Sequence, residues 1–493
     1  MDATTFLIGT ATLLVLYYLL RRGDKSYPPG PFVFPIIGNL PQLFRAGSIT
    51  DFSEYYRKKY GNVFSFEFAG GKRVVVSGYE GIRNLVVKNA DYTSNRAVTS
   101  LSSYIKELMA DTPGLIWAPF PHWKTLRSFA ISTLREEGMG KAVLEPKILE
   151  EVELYIEHFI LPNLGKPFDI THNLNQATSN VISQMLYARR FEYDDEEFNR
   201  LVAAANEGVA VAFKVGMIGN LPFGSLFVKS AIEREKYIAS TVLQPTLQKY
   251  IDAHKATLDR DHPRDLTDRY LIHSEAAEGT NKTFFSDDNA VQVAIHLFIA
   301  GTETTATAMR WALLYMCLHP DVKKRVMEEI DDVIGQSRHV TGKDRVSLPY
   351  TDAVLLECLR KGNIAHVALP HVADKEMVID GMTIPAGAEL MLNMTSVLND
   401  EAVFEEPTKF KPERYLTGDI ALKKQRTIPF GLGRRVCPGE SLAKMEFFIF
   451  FVTLLQRFDV CLPEGVTMTD KAGPNDTVVR APPPYKLIFT ARH

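Results

Sequence analysis

Residues 3–20 (ATTFLIGTATLLVLYYLL) carry no charge and run about as long as a helix needs to cross a bilayer, ~20 residues. Asp2 precedes the run, and Arg21, Arg22 and Lys25 follow it. A basic flank stays on the cytoplasmic side, so the pattern predicts one N-terminal anchor over residues 1–26 and a cytosolic body over 27–493. A cleaved leader would carry its basic residues before the apolar run and small residues at a cleavage site, and neither is present. Pro28-Pro29-Gly30-Pro31 then makes a stiff spacer, because proline fixes φ. Past it, residues 63–68 (VFSFEF) alternate, residues 69–72 (AGGK) turn and residues 73–77 run back, which predicts an early hairpin. From Tyr79 to about Ile334 the period is mostly helical, with polar breaks near Asp194 and over 261–288. The longest helix is expected to start after Ser286-Asp287-Asp288 and end near Leu318, before Pro320. Short strands are expected over 376–393 and a last one over 485–491. The fold class is therefore mainly α with a small β lobe near the N-terminus.

Composition changes this picture little. The 56 basic and 59 acidic residues of the 493 give a net charge of −3, which argues against a protein built around nucleic acid. Cytosolic placement leaves the sequon Asn281-Lys282-Thr283 unused. Four cysteines, Cys317, Cys358, Cys437 and Cys461, form no CxxC pair and no framework spacing, so they read as reduced thiols. Each is core filler or a reactive ligand.

Cys437 has the neighbours of a ligand. In Phe430-Gly431-Leu432-Gly433-Arg434-Arg435-Val436-Cys437-Pro438-Gly439, Gly433 and Gly439 remove side chains where backbone could approach a flat macrocycle. Arg435 offers a fork suited to a carboxylate, and Phe430 can shield the sulfur. A helix reading from Glu440 to Phe451 begins just past the cysteine, where its dipole favours thiolate. This segment resembles the haem-ligand loop of the cytochrome P450 family. The resemblance implies that fold, with a long distal helix over haem b and the Cys437 thiolate as proximal iron ligand. A glycine-rich dinucleotide loop is the competing reading of Gly431 and Gly433, and it lacks the strand–turn–helix context.

Ala300-Gly301-Thr302-Glu303-Thr304-Thr305 lies inside the longest helix between apolar flanks, where a charged Glu303 needs a reason. Oxygen activation consumes protons, and a hydroxyl and a carboxyl can relay them. The segment resembles the family's distal motif, which makes Thr304 the hydroxyl donor, Glu303 its acidic partner and Gly301 an opening for dioxygen. Their presence favours monooxygenation over a haem-thiolate isomerase or dehydratase. A non-catalytic haem protein that binds lipid or senses gas is the reading from another class.

Glu357 and Arg360 stand at i, i+3 on one helical face. With Arg414 in Phe410-Lys411-Pro412-Glu413-Arg414-Tyr415 they resemble the family's buried structural triad. By the same resemblance Arg96, Trp123, Arg127, His371 and Arg435 face the haem carboxylates. Substrate contacts carried over are Ile116, Trp117, Ile299, Ala300, Ala365, Leu369 and Val478, mostly apolar as a lipophilic substrate (a steroid, fatty acid or xenobiotic) requires. Two positions depart from the family pattern. His296 stands where an acid or amide is usual, and His366 replaces a proline; both read first as satisfied histidines.

The resemblance spans the chain and is closest to the animal microsomal group. It implies the endoplasmic reticulum membrane as location and an NADPH-dependent flavoprotein reductase as electron donor, with cytochrome b5 as a second donor. Nothing in the chain resembles a flavin or nicotinamide site. Lys124, Arg135, Arg434 and Lys444 are candidates for a basic docking face. Residues 215–227 (VGMIGNLPFGSLF) are apolar for a loop and are expected to dip into the membrane or to lie as a lid on the core.

Overall fold

Ser48 accepts the Asp51 N–H at 3.0 Å, which caps helix α1 (Ile49–Tyr60). Strand β1 (Val63–Phe68) pairs antiparallel with β2 (Gly71–Ser77), from Val63 opposite Val76 to Phe68 opposite Gly71. Side chains alternate across such a pair. Phe64, Phe66 and Val75 meet Phe52 of α1, while Val63, Val74 and Val76 meet Ile82 and Leu85. Both faces are therefore covered. The turn is shorter than the sequence predicts, because Gly71 and Lys72 already belong to β2. The structure is a computed structural model that describes residues 27–493 except 69, 70, 99, 100, 121, 220, 222, 280, 281, 283, 474–478 and 493, plus residues 2, 5, 9, 12, 13 and 16. The expected anchor thus lies outside the described residues, apart from those isolated positions. So does most of the sequon. Among the described residues no helix is long and apolar enough to cross a membrane.

The helical body follows: α2 (Gly114–Trp117), α3 (His122–Glu136), α4 (Thr171–Tyr187), α5 (Glu196–Gly219), α6 (Gly224–Phe227), α7 (Gln244–Ala256), α8 (Leu266–Ala276) and α9 (Asp287–Leu318). Helix α8 falls where the sequence reads as a polar break. Asp265 caps it by accepting the Asp268 N–H, and buried Thr267 and Asp268 are satisfied by the Leu186 carbonyl and Arg264. Helix α9 has the expected bounds, with Ser286 accepting from Asn289 N–H. It is buried along almost its whole length because α4 lies against it: Thr178 donates to the Thr302 carbonyl at 2.6 Å, and the Ser179 and Thr302 hydroxyls are 2.8 Å apart. A Cβ on Gly301 would stand 3.0 Å from Ile182 of α4. Gly301 therefore lets two helices approach rather than opening space for dioxygen.

The last third closes the β lobe. After α10 (Pro349–Gly362) come β3 (His371–Val372), the hairpin of β4 (Met377–Ile379) with β5 (Met382–Ile384), and β6 (Glu389–Asn393). Strand β6 pairs antiparallel with β3 and parallel with β2, giving the order β1-β2-β6-β3. Helix α11 (Glu440–Arg457) begins at Gly439, just past the Cys437 loop, and runs through the core. Strands β7 (Phe458–Cys461) and β8 (Ile488–Ala491) pair antiparallel at the end.

The expected triad is a buried ion network. Glu357 Oε1 accepts from Arg360 Nη2 at 2.7 Å, from Arg414 Nε at 3.2 Å and from the Lys411 N–H at 2.9 Å. Arg360 also donates to the Leu398 and Pro407 carbonyls. Every charge there has partners, as burial demands.

Candidate functional site

The segment before α11 turns back on itself through Gly431 and Gly433, whose φ values of 88° and 79° are left-handed and suit glycine. The Cys437 N–H then donates to the Phe430 carbonyl at 3.0 Å, which ties the cysteine backbone to that of the aromatic residue expected to shield it. A Cβ on Gly433 would lie 2.1 Å from the Val86 carbonyl oxygen. The close approach is thus chain to chain, not chain to macrocycle, which corrects the expectation for Gly433. Burial pushes the Cys437 thiol up, while the Gly439 N–H and Arg127 pull it down and Glu440 pushes it up again. The net shift is upward, so the helix terminus alone does not make a thiolate. A metal would, because a coordinated sulfur is deprotonated by the ion.

Around the loop stand three arginines with no acid between them. Arg127, on α3, donates to the Val436 carbonyl, and Arg96 donates to the Leu369 carbonyl. Arg435 donates from Nε to Ser94 O, from Nη1 to Ile116 O and from Nη2 to Ala118 O, at 2.8, 3.1 and 3.0 Å. Its guanidinium centre lies 4.0 Å from the buried Trp123 ring, and that of Arg127 lies 5.4 Å from it. Burial, then the nearby guanidiniums, pull Arg96 down to about 9 and Arg435 down to about 8. Burial lowers Arg127 too, and Cys437 is the group that raises it. Arg96 Nε is buried without a partner. His371, bridged to Arg96 in an isolated β pair, donates from Nδ1 to the Thr93 carbonyl at 2.6 Å. Burial and Arg96 keep it neutral. Its bare Nε2 would meet a carboxylate only as the imidazolium.

A cation cluster crowded against itself, an orphaned buried N–H and a cysteine at its edge fit a flat dianion carrying a thiolate-binding metal. Those are the properties of haem: two propionates and one iron. Arg96, Arg127, Arg435 and Trp123 fit the carboxylates, although Arg435 is satisfied by three carbonyls rather than presenting an open fork. Cys437 fits the iron.

The opposite wall is α9. From Asn289 to Met316 it is buried except at Ile299, Ala300, Gly301, Glu303 and Thr304. Ala300 and Thr304 are the exposed pair, one turn apart on one face, and the Thr304 hydroxyl donates to the Ala300 carbonyl at 2.7 Å. Exposure in the middle of a buried helix marks the lining of an internal space. Burial pushes Glu303 up to about 7, partly offset by Arg310. Its carboxyl therefore gains and loses a proton near neutrality.

The backbone of Ile116, on α2, connects the two walls. Its carbonyl accepts from Arg435 at 3.1 Å, and its N–H donates to His296 Nδ1 of α9 at 3.3 Å. Ile116 and Trp117 are half-buried, Ala365 is exposed and Leu369 is half-buried. Val478 lies outside the described residues. His366 is fully buried, in keeping with a core histidine. Pattern reading misses Gly114 and Asn289: the Gly114 N–H donates to Asn289 Oδ1 at 2.8 Å, docking the start of α2 on α9. The Pro113-Gly114 pair was the available turn signal. A second polar cluster, His254, Asp265 and Asp268, has metal-like spacing. His254 donates to the Tyr250 carbonyl from Nδ1 and to Asp265 from Nε2, so it is an imidazolium and no ligand.

Loop, cation cluster and distal stripe define a haem-thiolate protein. Residues 28–489 match the family model for cytochrome P450. The chain is 38% identical over 505 residues to cytochrome P450 2D26 of Mus musculus, covering 100% of this chain and 99% of that one. It is 37% identical to cytochrome P450 2D20 of Mesocricetus auratus, over 98% and 97% of the two chains. Against cytochrome P450 2U1 of Mus musculus the identity is 35%, over 98% and 94%. The chain belongs to the cytochrome P450 family. It is a haem-dependent monooxygenase, an oxidoreductase that draws electrons from a redox partner.

Proposed function

We propose that the enzyme inserts one oxygen atom of dioxygen into a lipophilic small molecule, a steroid, fatty acid or xenobiotic. Its electrons come from a membrane-bound, NADPH-dependent flavoprotein reductase, with cytochrome b5 as a second donor. One observation carries the reading: the accessible Ala300–Thr304 stripe, with a carboxyl poised near pH 7 beside it, in a helix otherwise sealed.

Haem, held by Cys437 with Arg96, Arg127, Trp123 and Arg435 at its carboxylates, and with His371 beside them only if a propionate brings a second proton to its ring, would supply the oxygen chemistry when bound. The chain's own residues manage protons and water. Thr304 Oγ1 gives its proton to the Ala300 carbonyl, so it faces the internal space as an acceptor and passes a proton on by turning its O–H away from that carbonyl. Glu303 takes protons from the solvent side and passes them on, a task that its value of about 7 suits. Ile116, Trp117, Ile299, Ala300, Ala365, Leu369 and Val478 pack against the substrate and exclude water. A haem-thiolate isomerase would have no use for the Glu303–Thr304 pair.

Residues 1–26 anchor the chain in the endoplasmic reticulum membrane, leaving 27–493 in the cytosol. Phe223, Leu226 and Phe227 are 78, 73 and 82% exposed, too apolar for water. They support a second contact in which the later part of the 215–227 segment reaches lipid and collects substrate, while Val215 stays buried within α5. Lys124 and Arg135 are exposed on α3 and suit reductase docking, whereas Arg434 and Lys444 are already paired with Asp91 and Glu440.

The experiment is a reconstitution of purified protein with reductase and NADPH against a panel of steroids, fatty acids and xenobiotics. Displacement of iron-bound water is read in the haem spectrum, and product by mass. Substrate-dependent incorporation of one oxygen from dioxygen is expected. Haem spectra with no NADPH consumption for any substrate would leave a binding protein instead.

A further inference from the structure

His296 occupies the same face of α9 as Ala300 and Thr304, one and two turns before them. Its ring is caught along one edge. The Ile116 N–H donates to Nδ1 at 3.3 Å. Gly114, at φ +56°, comes so close that a Cβ there would lie 2.4 Å from Nδ1 and 2.5 Å from Cε1. A backbone N–H can be accepted only by a ring nitrogen without a proton, so Nδ1 is bare and the single proton sits on Nε2.

Burial alone acts on the imidazole, pulling it down to about 4, and no acid faces it. It is neutral at any physiological pH. Nε2 has no partner among the described residues, yet it is not sealed from accessible space. His296 is 7% exposed as a residue, with Ile116 bonded to its ring and Ala300 one turn on along α9. A lone N–H donor therefore stands in a mostly apolar lining, with orientation and tautomer fixed by the N–H of Ile116 on α2, a residue that also ties to Arg435 through its carbonyl.

We propose that His296 Nε2–H is the polar anchor of the substrate pocket, donating one hydrogen bond to a neutral oxygen acceptor (a ketone, ester or ether) on an otherwise lipophilic substrate. A carboxylate at this position would call for a cationic amine; a neutral donor turns such a group away. The proposal deepens the monooxygenase reading above and rests on its substrate pocket.

The test is binding, not turnover. Full-length, haem-loaded ferric protein without reductase is titrated with cyclododecanone and with cyclododecane, which differ by one carbonyl, and affinity is read from the Soret shift. A neutral hydrogen bond of about 1–1.4 kcal/mol predicts a roughly 5–10-fold preference for the ketone. H296F keeps a planar ring without the donor and is expected to bring the ratio to about one; H296Q restores a donor and most of the ratio. Should phenylalanine prevent haem loading, H296M removes the donor with a flexible side chain. Equal ratios in wild type and H296F or H296M, or no ketone preference in wild type, would overturn the role of His296. Failure of the reconstituted enzyme to oxidise anything, with the ketone preference intact, would instead overturn the oxygenation reading alone.

Discussion

Gly433 and Val86 touch backbone to backbone: the Val86 carbonyl oxygen occupies the place where a Cβ on residue 433 would need to be, 2.1 Å away. The contact presses the cysteine loop onto the segment that follows β2, so loop position and β lobe are set together. With φ at 79°, alanine would meet both the clash and left-handed strain, roughly 1–3 kcal/mol from the backbone alone. G433A is expected to fold poorly around haem. The measurement is the reduced, carbon-monoxide-treated Soret band per mole of protein; full occupancy in G433A would show that the loop can move.

Glu357 is the acid on which Arg360, Arg414 and the Lys411 amide converge. E357A leaves two buried guanidiniums without their carboxylate, which costs roughly 3–5 kcal/mol. A fall of that size in the unfolding free energy, read from a lowered denaturant midpoint, is expected, without altered reactivity in whatever fraction still binds haem. E357Q keeps the shape and lies between.

Glu303 makes a pH prediction with a definite sign. Its folded value, about 7, stands above the usual 4.5 because burial penalises the charge. The folded state therefore holds the extra proton between those values, and stability falls as pH rises through that window. E303Q removes the penalty, so its melting temperature should exceed that of wild type above pH 7 and match it near pH 4. In turnover, product formed per NADPH should decline above pH 7 in wild type. It should be low and flat with pH in E303Q.

His254 reports on the same linkage from far outside the site. Burial opposes its charge, but the hydrogen bond and charge of Asp265 outweigh it and raise the imidazole above its usual 6.5. Its stabilisation is complete below that unfolded value and is lost as pH climbs through the folded one. H254Q should flatten the melting temperature across that alkaline interval. Added zinc should leave wild-type melting unchanged, since both ring nitrogens already donate.

Local signals account for what the sequence made legible. Ser286 and Pro320 bracket α9 by capping and by the missing proline N–H, so its bounds follow from residues within one turn. The Cys437 and Glu303–Thr304 segments were likewise readable because each is a short run of chemistry. Contacts between distant elements were not. Which way Gly301 faces depends on Ile182, over a hundred positions earlier, and no periodicity in α9 reveals it. Helix α8 hides behind polar residues whose partners, Leu186 and Arg264, appear only once the chain is folded. The parallel ladder of β2 with β6 has no hairpin turn to announce it.

That ladder has a consequence for biogenesis. Ser77 and Asn393, hydrogen-bonded across it, are 316 residues apart. On the ribosome, β2 emerges with one edge bare and waits until most of the polypeptide has followed. Any message that stops short of Glu389 yields a chain whose Val74, Val75 and Val76 end on an unfilled row of amide groups, ready to pair with another molecule. Incomplete products of this gene should therefore aggregate rather than persist as soluble fragments.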